Sequence, residues 1–122
     1  MTNELSLFER LGGEAGVRSI VDDVLAAHQA NPMVKTRFEH IQDPELVRQH
    51  AFEFFAAGTG GDFQYSGRDM RTTHTGMNVS EQEYLAVVDD IMGVLQQHEI
   101  GQREQEQVLA VLYSLKGEII RV

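Results

Sequence analysis

Apolar positions recur at helical spacing through nearly the whole chain. Val17, Ile20, Val21, Val24 and Leu25 form one stripe, with Asp22 and Asp23 off it. His28 extends the stripe and is expected to be partly buried. Asn31-Pro32 predicts the end of this helix, because a proline ring disfavours helical conformation in the residue before it. A short turn over residues 33–40 carries Phe38. Asp43-Pro44-Glu45 then predicts a helix start. An aspartate caps free N–H groups, a proline in the first turn gives up no hydrogen bond, and a glutamate there suits the helix dipole. The helix that follows places Leu46, Val47, His50, Ala51, Phe54 and Phe55 on one face and ends at Gly58-Thr59-Gly60-Gly61.

After a loop over residues 62–68, a short helix is expected at about 69–75, stopped by Gly76. Ser80-Glu81-Gln82-Glu83 is a capping box that opens a long helix. Tyr84, Leu85, Val87, Val88, Ile91, Met92, Val94 and Leu95 are expected inside, and Gly101 is expected to break it. A last helix from about 102 to 120 should bury Val108, Leu109, Val111, Leu112, Leu115 and Ile119. No Asn-Gly or Asp-Gly turn sits between alternating runs, so strands are not expected. The pattern predicts an all-α fold, helix packed on helix.

At 122 residues the chain reads as one domain, 1–122. Its 42% apolar and 24% charged residues are ordinary for a globular protein. The absence of cysteine excludes disulfides, zinc fingers, thiol catalysis and cysteine-ligated iron–sulfur clusters. It also fits a reducing compartment. Met1-Thr2-Asn3-Glu4-Leu5 lacks a basic stretch followed by an apolar run, and no apolar run is long enough to cross a bilayer. A cytoplasmic location without membrane contact is therefore expected. A net charge of −9 repels phosphate backbones and argues against nucleic acid as a partner.

Two histidines carry the candidate chemistry. His50 lies in the middle of an apolar face, where imidazole needs a hydrogen bond or a ligand. A core histidine bonded to a carbonyl is the simpler alternative. His74 sits on the short helix beside Met70 and Met77, and taken alone reads more commonly as an exposed loop residue. Together, on different helices and near several phenylalanines, they point to haem, since neutral imidazole is a good ligand for haem iron. Phe38, Phe54 and Phe55 could line its apolar slot, and Arg68 could pair with a propionate. Other motifs are absent: Gly58-Thr59-Gly60-Gly61 lacks the lysine of a phosphate loop, and neither His-Glu-x-x-His nor Gly-x-Ser-x-Gly occurs. His98 suits a helix end, His40 an exposed turn, and Asp89-Asp90 a solvated face.

Ser6-Leu7-Phe8-Glu9-Arg10-Leu11-Gly12-Gly13, Phe38, Gly60-Gly61, Tyr65-Ser66-Gly67-Arg68-Asp69-Met70 with His74, and the tail over 110–122 occur in an order that resembles the truncated haemoglobins of group I. The resemblance implies a shortened globin, two helices crossed over two, with noncovalent haem b between them. His74 would be the proximal ligand, its other ring nitrogen donating to a backbone carbonyl. Arg68 would pair with a propionate, and Phe38, Val47, Phe54, Phe55, Phe63, Met77 and Val88 would wall the pocket. The distal side departs from the family pattern. Leu25 stands where many members have tyrosine, and Val47 (Leu46 in a register one residue off) where glutamine is common. Gln49 could contribute only from a rotated helix. His50 aligns with the position from which some cyanobacterial and algal relatives supply a second iron ligand. Gly117 stands where some of those relatives attach haem covalently through a histidine, which the last helix lacks.

The resemblance thus implies a monomeric protein that binds oxygen, nitric oxide or carbon monoxide, with both histidines on the iron when no external ligand is present. Nitric oxide detoxification or electron transfer, sustained by an unidentified reductase, is the expected role. An oxygen carrier, a haem-based sensor and a haem-free helical interaction module are the alternatives.

Overall fold

The computed structural model describes residues 5–122. The reading of Met1 to Glu4 as lacking a leader falls outside the described residues. Among the described residues six α-helices follow one another: α1 (Leu7–Arg10), α2 (Gly13–Ala30), α3 (Pro44–Gly58), α4 (Met70–His74), α5 (Glu81–Gln97) and α6 (Gln102–Ile119). A single 3-10 turn, Lys35–Phe38, lies between α2 and α3. Local chemistry sets most of the boundaries. Ser6 caps α1 through the Glu9 amide. Asp43 caps α3, with Pro44 in its first turn. Ser80 and Glu83 form both halves of the capping box on α5. Between α1 and α2 the chain reverses through Gly12, at φ 110°, which a side chain would resist.

α2 is the centre of the packing: α3 and α5 both lie on it, α6 lies on α5, and α4 lies on α6. The main core is built from Phe8, Val17, Ile20, Phe52, Leu95 and Val108 with their neighbours. A smaller core of Val79, Tyr84, Val88 and Ile119, flanked by Met70 and Met77, sits where α4, α5 and the end of α6 meet. Among the described residues no helix is long and apolar enough to cross a membrane.

Three expectations need correction. α5 stops at Gln97 rather than near Gly101, because Glu99 turns the chain at φ 58°, and Gly101 instead caps α6. Leu46, Leu85 and Leu109 are not inside but 49%, 59% and 42% exposed. Leu85 and Leu109 line one groove between α5 and α6. The residues of α3 fully buried against the core are Phe52 and Ala56, not the predicted stripe. α3 is apolar on two sides: Phe52 and Ala56, four apart, enter the core, while Val47, His50 and Phe54 share another face and stay half-buried.

Candidate functional site

α4 is short and made by its ends. Asp69 Oδ1 accepts from the Thr72 amide at 2.7 Å, which starts the helix, and Thr72, through its side chain first and its amide second, holds the Asp69 carboxyl below its usual range. The last residue of α4 is His74, half-buried. Its Nδ1 lies 2.7 Å from the Met70 carbonyl oxygen. A carbonyl only accepts, so Nδ1 carries the proton and the lone pair resides on Nε2. Nε2 makes no hydrogen bond among the described residues. An imidazole oriented in this way presents a single directed donor atom, as an iron ligand must.

His50 stands on α3, which rests on α2, whereas α4 rests on α6. The two candidate ligands therefore occupy walls supported by different helices. His50 meets the ring of Tyr65 edge-on at 6.0 Å, and Phe54 meets the same ring at 5.2 Å. Tyr65 is fixed in turn, its hydroxyl donating to the Arg68 carbonyl at 2.5 Å. Glu53 ties this loop to α3. Its carboxylate accepts from the Ser66 amide at 3.1 Å, the Ser66 hydroxyl at 2.7 Å and Gln49 Nε2 at 3.0 Å. These bonds, Gln49 first, hold the Glu53 carboxyl down at about 2. Gln49 is thereby engaged on both ends, since its Oε1 accepts from Arg18 Nη1 at 3.1 Å. Arg18 itself lies over the Phe52 ring, 3.9 Å from its centre.

Phe38, at the end of the 3-10 turn, stacks on His28 at 5.2 Å and 26°. His28 is only 5% exposed. Its Nδ1 donates to Asp90 Oδ2 at 2.8 Å, and Asn31 Nδ2 donates to both oxygens of the same carboxylate. Asp90 is thus not the solvated carboxylate expected from sequence; it satisfies a buried imidazole on α2. The apolar stripe showed that His28 needed a partner, but the partner lies 62 residues away and only the α2–α5 packing reveals it. Arg37 forms a paired contact with Glu83 of α5, which accepts from Arg37 Nη2 at 2.9 Å and sits at about 2, chiefly because of that arginine. The Phe38 turn is therefore held from both sides.

The other proposed wall residues divide between sites. Val47 and Leu25 are half-buried, and neither can donate a hydrogen bond. Phe55 packs half-buried against the main core. Phe63 joins Phe8 and Phe52 in an aromatic group, at 5.6 and 5.0 Å. Met77 and Val88 lie in the smaller core, beside the turn that follows His74. Arg68 is exposed and its guanidinium makes no hydrogen bond or ion pair among the described residues, so it is available to an anion at the rim. Gly117 is an exposed position of α6. The donor set fits haem: one oriented imidazole, a second on a separately supported helix with aromatic side chains beside it, and an available arginine.

Residues 6–121 match the bacterial-like globin family. The chain is 29% identical over 119 residues to a group 1 truncated haemoglobin of Chlamydomonas moewusii, covering 96% of this chain and 69% of that one. The fold superposes on the truncated haemoglobin of Tetrahymena pyriformis in its Fe(III) form with a TM-score of 0.92 at 20% identity, covering 97% and 100% of the two chains. It also superposes on the 2/2 haemoglobin of a Synechococcus species, solved in the cyanomet state with covalently attached haem, with a TM-score of 0.83 at 25% identity, covering 93% and 95%. Globins of this family bind haem, here without a histidine on α6 to attach it. By its length of match, its two-over-two helices and its oriented histidine, this chain belongs to the bacterial-like globin family, as a truncated haemoglobin.

Proposed function

We propose that the protein is a haem-based binder of diatomic ligands whose iron, with no external ligand present, is held by both His74 and His50. The role that follows is nitric oxide detoxification or electron transfer, with a separate reductase restoring the ferrous state. The observation that carries this reading is the Nδ1 bond of His74 to the Met70 carbonyl, which leaves Nε2 as the donor atom. Bound haem supplies a redox-active iron that takes oxygen, nitric oxide or carbon monoxide. Everything else is done by side chains of this chain. Met70 fixes the tautomer of His74, and Arg68 neutralises a propionate. Phe38, Phe54 and Val47 would provide apolar contact. His50 would be the second protein donor to the iron and would give way to an external ligand.

The distal residues argue against oxygen storage. Tight oxygen binding needs a hydrogen bond to the bound ligand, and Leu25 and Val47 have none to give. Gln49 is committed to Arg18 and Glu53. An internal ligand lowers apparent affinity further, by the fraction of molecules in which it has left. It also keeps the coordination similar in both oxidation states, which suits electron transfer. The cysteine-free chain fits work as a cytoplasmic monomer in reducing surroundings.

The test is carbon monoxide rebinding after flash photolysis. His50→Ala should keep its haem and bind carbon monoxide about tenfold faster or more, because the open fraction becomes the whole population. An unchanged rate overturns the internal ligand. His74→Ala should lose haem or hold it weakly, read from the Soret absorbance.

A further inference from the structure

α4 has five residues and no fully buried side chain. A helix that short does not recover the cost of its own nucleation. Beyond the Asp69 cap and the Met70 bond, the position of His74 needs support from outside the helix, and the turn that follows it is bonded to residues 120–122. Gly76 N donates to the Val122 carbonyl at 3.2 Å, and Arg121 N donates to the Val79 carbonyl at 2.9 Å. Arg121 Nη1 donates to Asn78 Oδ1 at 3.1 Å. Val79 and Ile120 pair as a single parallel bridge, anchored by the buried side chains of Val79 and Ile119. Higher up, Arg71 Nη2 reaches the Gly117 carbonyl at 3.4 Å. The clamped segment connects directly to the ligand, because Met77 N donates to the His74 carbonyl at 3.0 Å.

Backbone conformation on both sides of the clamp supports the same conclusion. Asn78 and Arg121 are both left-handed, at φ 50° and 56°. Asparagine tolerates this, but arginine rarely adopts it. Such a conformation persists only where its surroundings over-determine it, and here the two residues hold each other.

We propose that residues 119–122 act as a proximal strap, which holds the turn after α4 and so sets the orientation of His74 towards the iron, with Arg121 as a positioning residue. The inference rests on His74 being the proximal ligand. It assigns a role to the chain end that the haem contacts themselves do not require.

The experiment uses haem-loaded protein carrying His50→Ala as the reference, so that His74 alone binds the reduced iron. Two variants are made in that background: a chain ending at Ile119, and Arg121→Gly, which permits the same φ but removes the bond to Asn78. The readouts are the iron–histidine stretching band in the resonance Raman spectrum, haem transfer to a scavenging apoglobin, and amide exchange at Gly76 and Met77. The shortened chain should shift or broaden the band, lose haem about tenfold faster and exchange those amides faster, with α2 and α5 amides unchanged. Arg121→Gly should move each readout the same way by less, and it decides the matter if the shortened chain loses its helical circular dichroism. A band position and haem-loss rate equal to the reference in the folded variants overturn the strap. No iron–histidine band in the reference itself overturns the assignment of His74 instead.

Discussion

Glu53 illustrates how a single side chain joins two elements of the candidate site. Three donors converge on its carboxylate and join α3 to the loop that carries Tyr65, against which His50 and Phe54 rest. Its carboxyl is held at about 2, below the ordinary 4.5. The unfolded chain therefore binds a proton there first as the pH falls. The stabilisation is complete above about pH 4.5 and is lost as the pH falls towards 2. Glu83 contributes in the same direction through Arg37 and the capping box. Glu53→Gln should lower the urea midpoint at pH 7 and make it less sensitive to acid between about pH 4.5 and 2, the window of that shift. An identical acid dependence in wild type and variant would contradict the tether. At this scale the sequence was partly legible. His50, His74 and the paired glycines stood out by residue type. Phe52 and Asp90 did not, because each is defined by a partner on another helix: Arg18 and Phe8 for the one, His28 for the other.

Helix starts were the most readable elements, since each is written in a few adjacent residues. Asp43-Pro44 and Ser80 to Glu83 form the caps their spacing predicts. The end of α5 was not readable. Glu99 makes the left-handed turn there, and a glutamate carries no signal for it, whereas the nearby Gly101 does. The two-sided character of α3 was hidden for a related reason. A single helical stripe assumes a single packed face, but Phe52 faces the core while Val47, His50 and Phe54 lie elsewhere. Ser80→Ala removes the side-chain half of the α5 cap and should cost about 1 kcal/mol, read as a fall in denaturant midpoint with an unchanged slope. Because α5 carries Asp90 and part of both cores, that loss should spread beyond its first turn.

The whole molecule depends on α2, which bears α3 on one side and α5 on another. Two histidine–aspartate pairs cross the α2–α5 junction: His28 to Asp90 at 2.8 Å, and Asp23 to His98 at 2.7 Å. The inner pair also supports Phe38. Asp90→Ala leaves a buried imidazole without its acceptor and should cost about 1–3 kcal/mol in denaturant unfolding, whereas Asp23→Ala, at the surface, should cost about 0–1 kcal/mol. The all-α character followed from the helical periodicity, and the two-over-two arrangement only from the resemblance to the truncated haemoglobins. Which helix supports each candidate ligand was not legible: α3, with His50, packs on α2, and α4, with His74, packs on α6. The visible absorption spectrum of the reduced protein without added ligand tests the proposed coordination most directly. Two sharp, well-resolved low-spin bands are predicted, with His50 and His74 both on the iron. A single broad high-spin band would contradict the account, placing His50 off the iron and the distal side open.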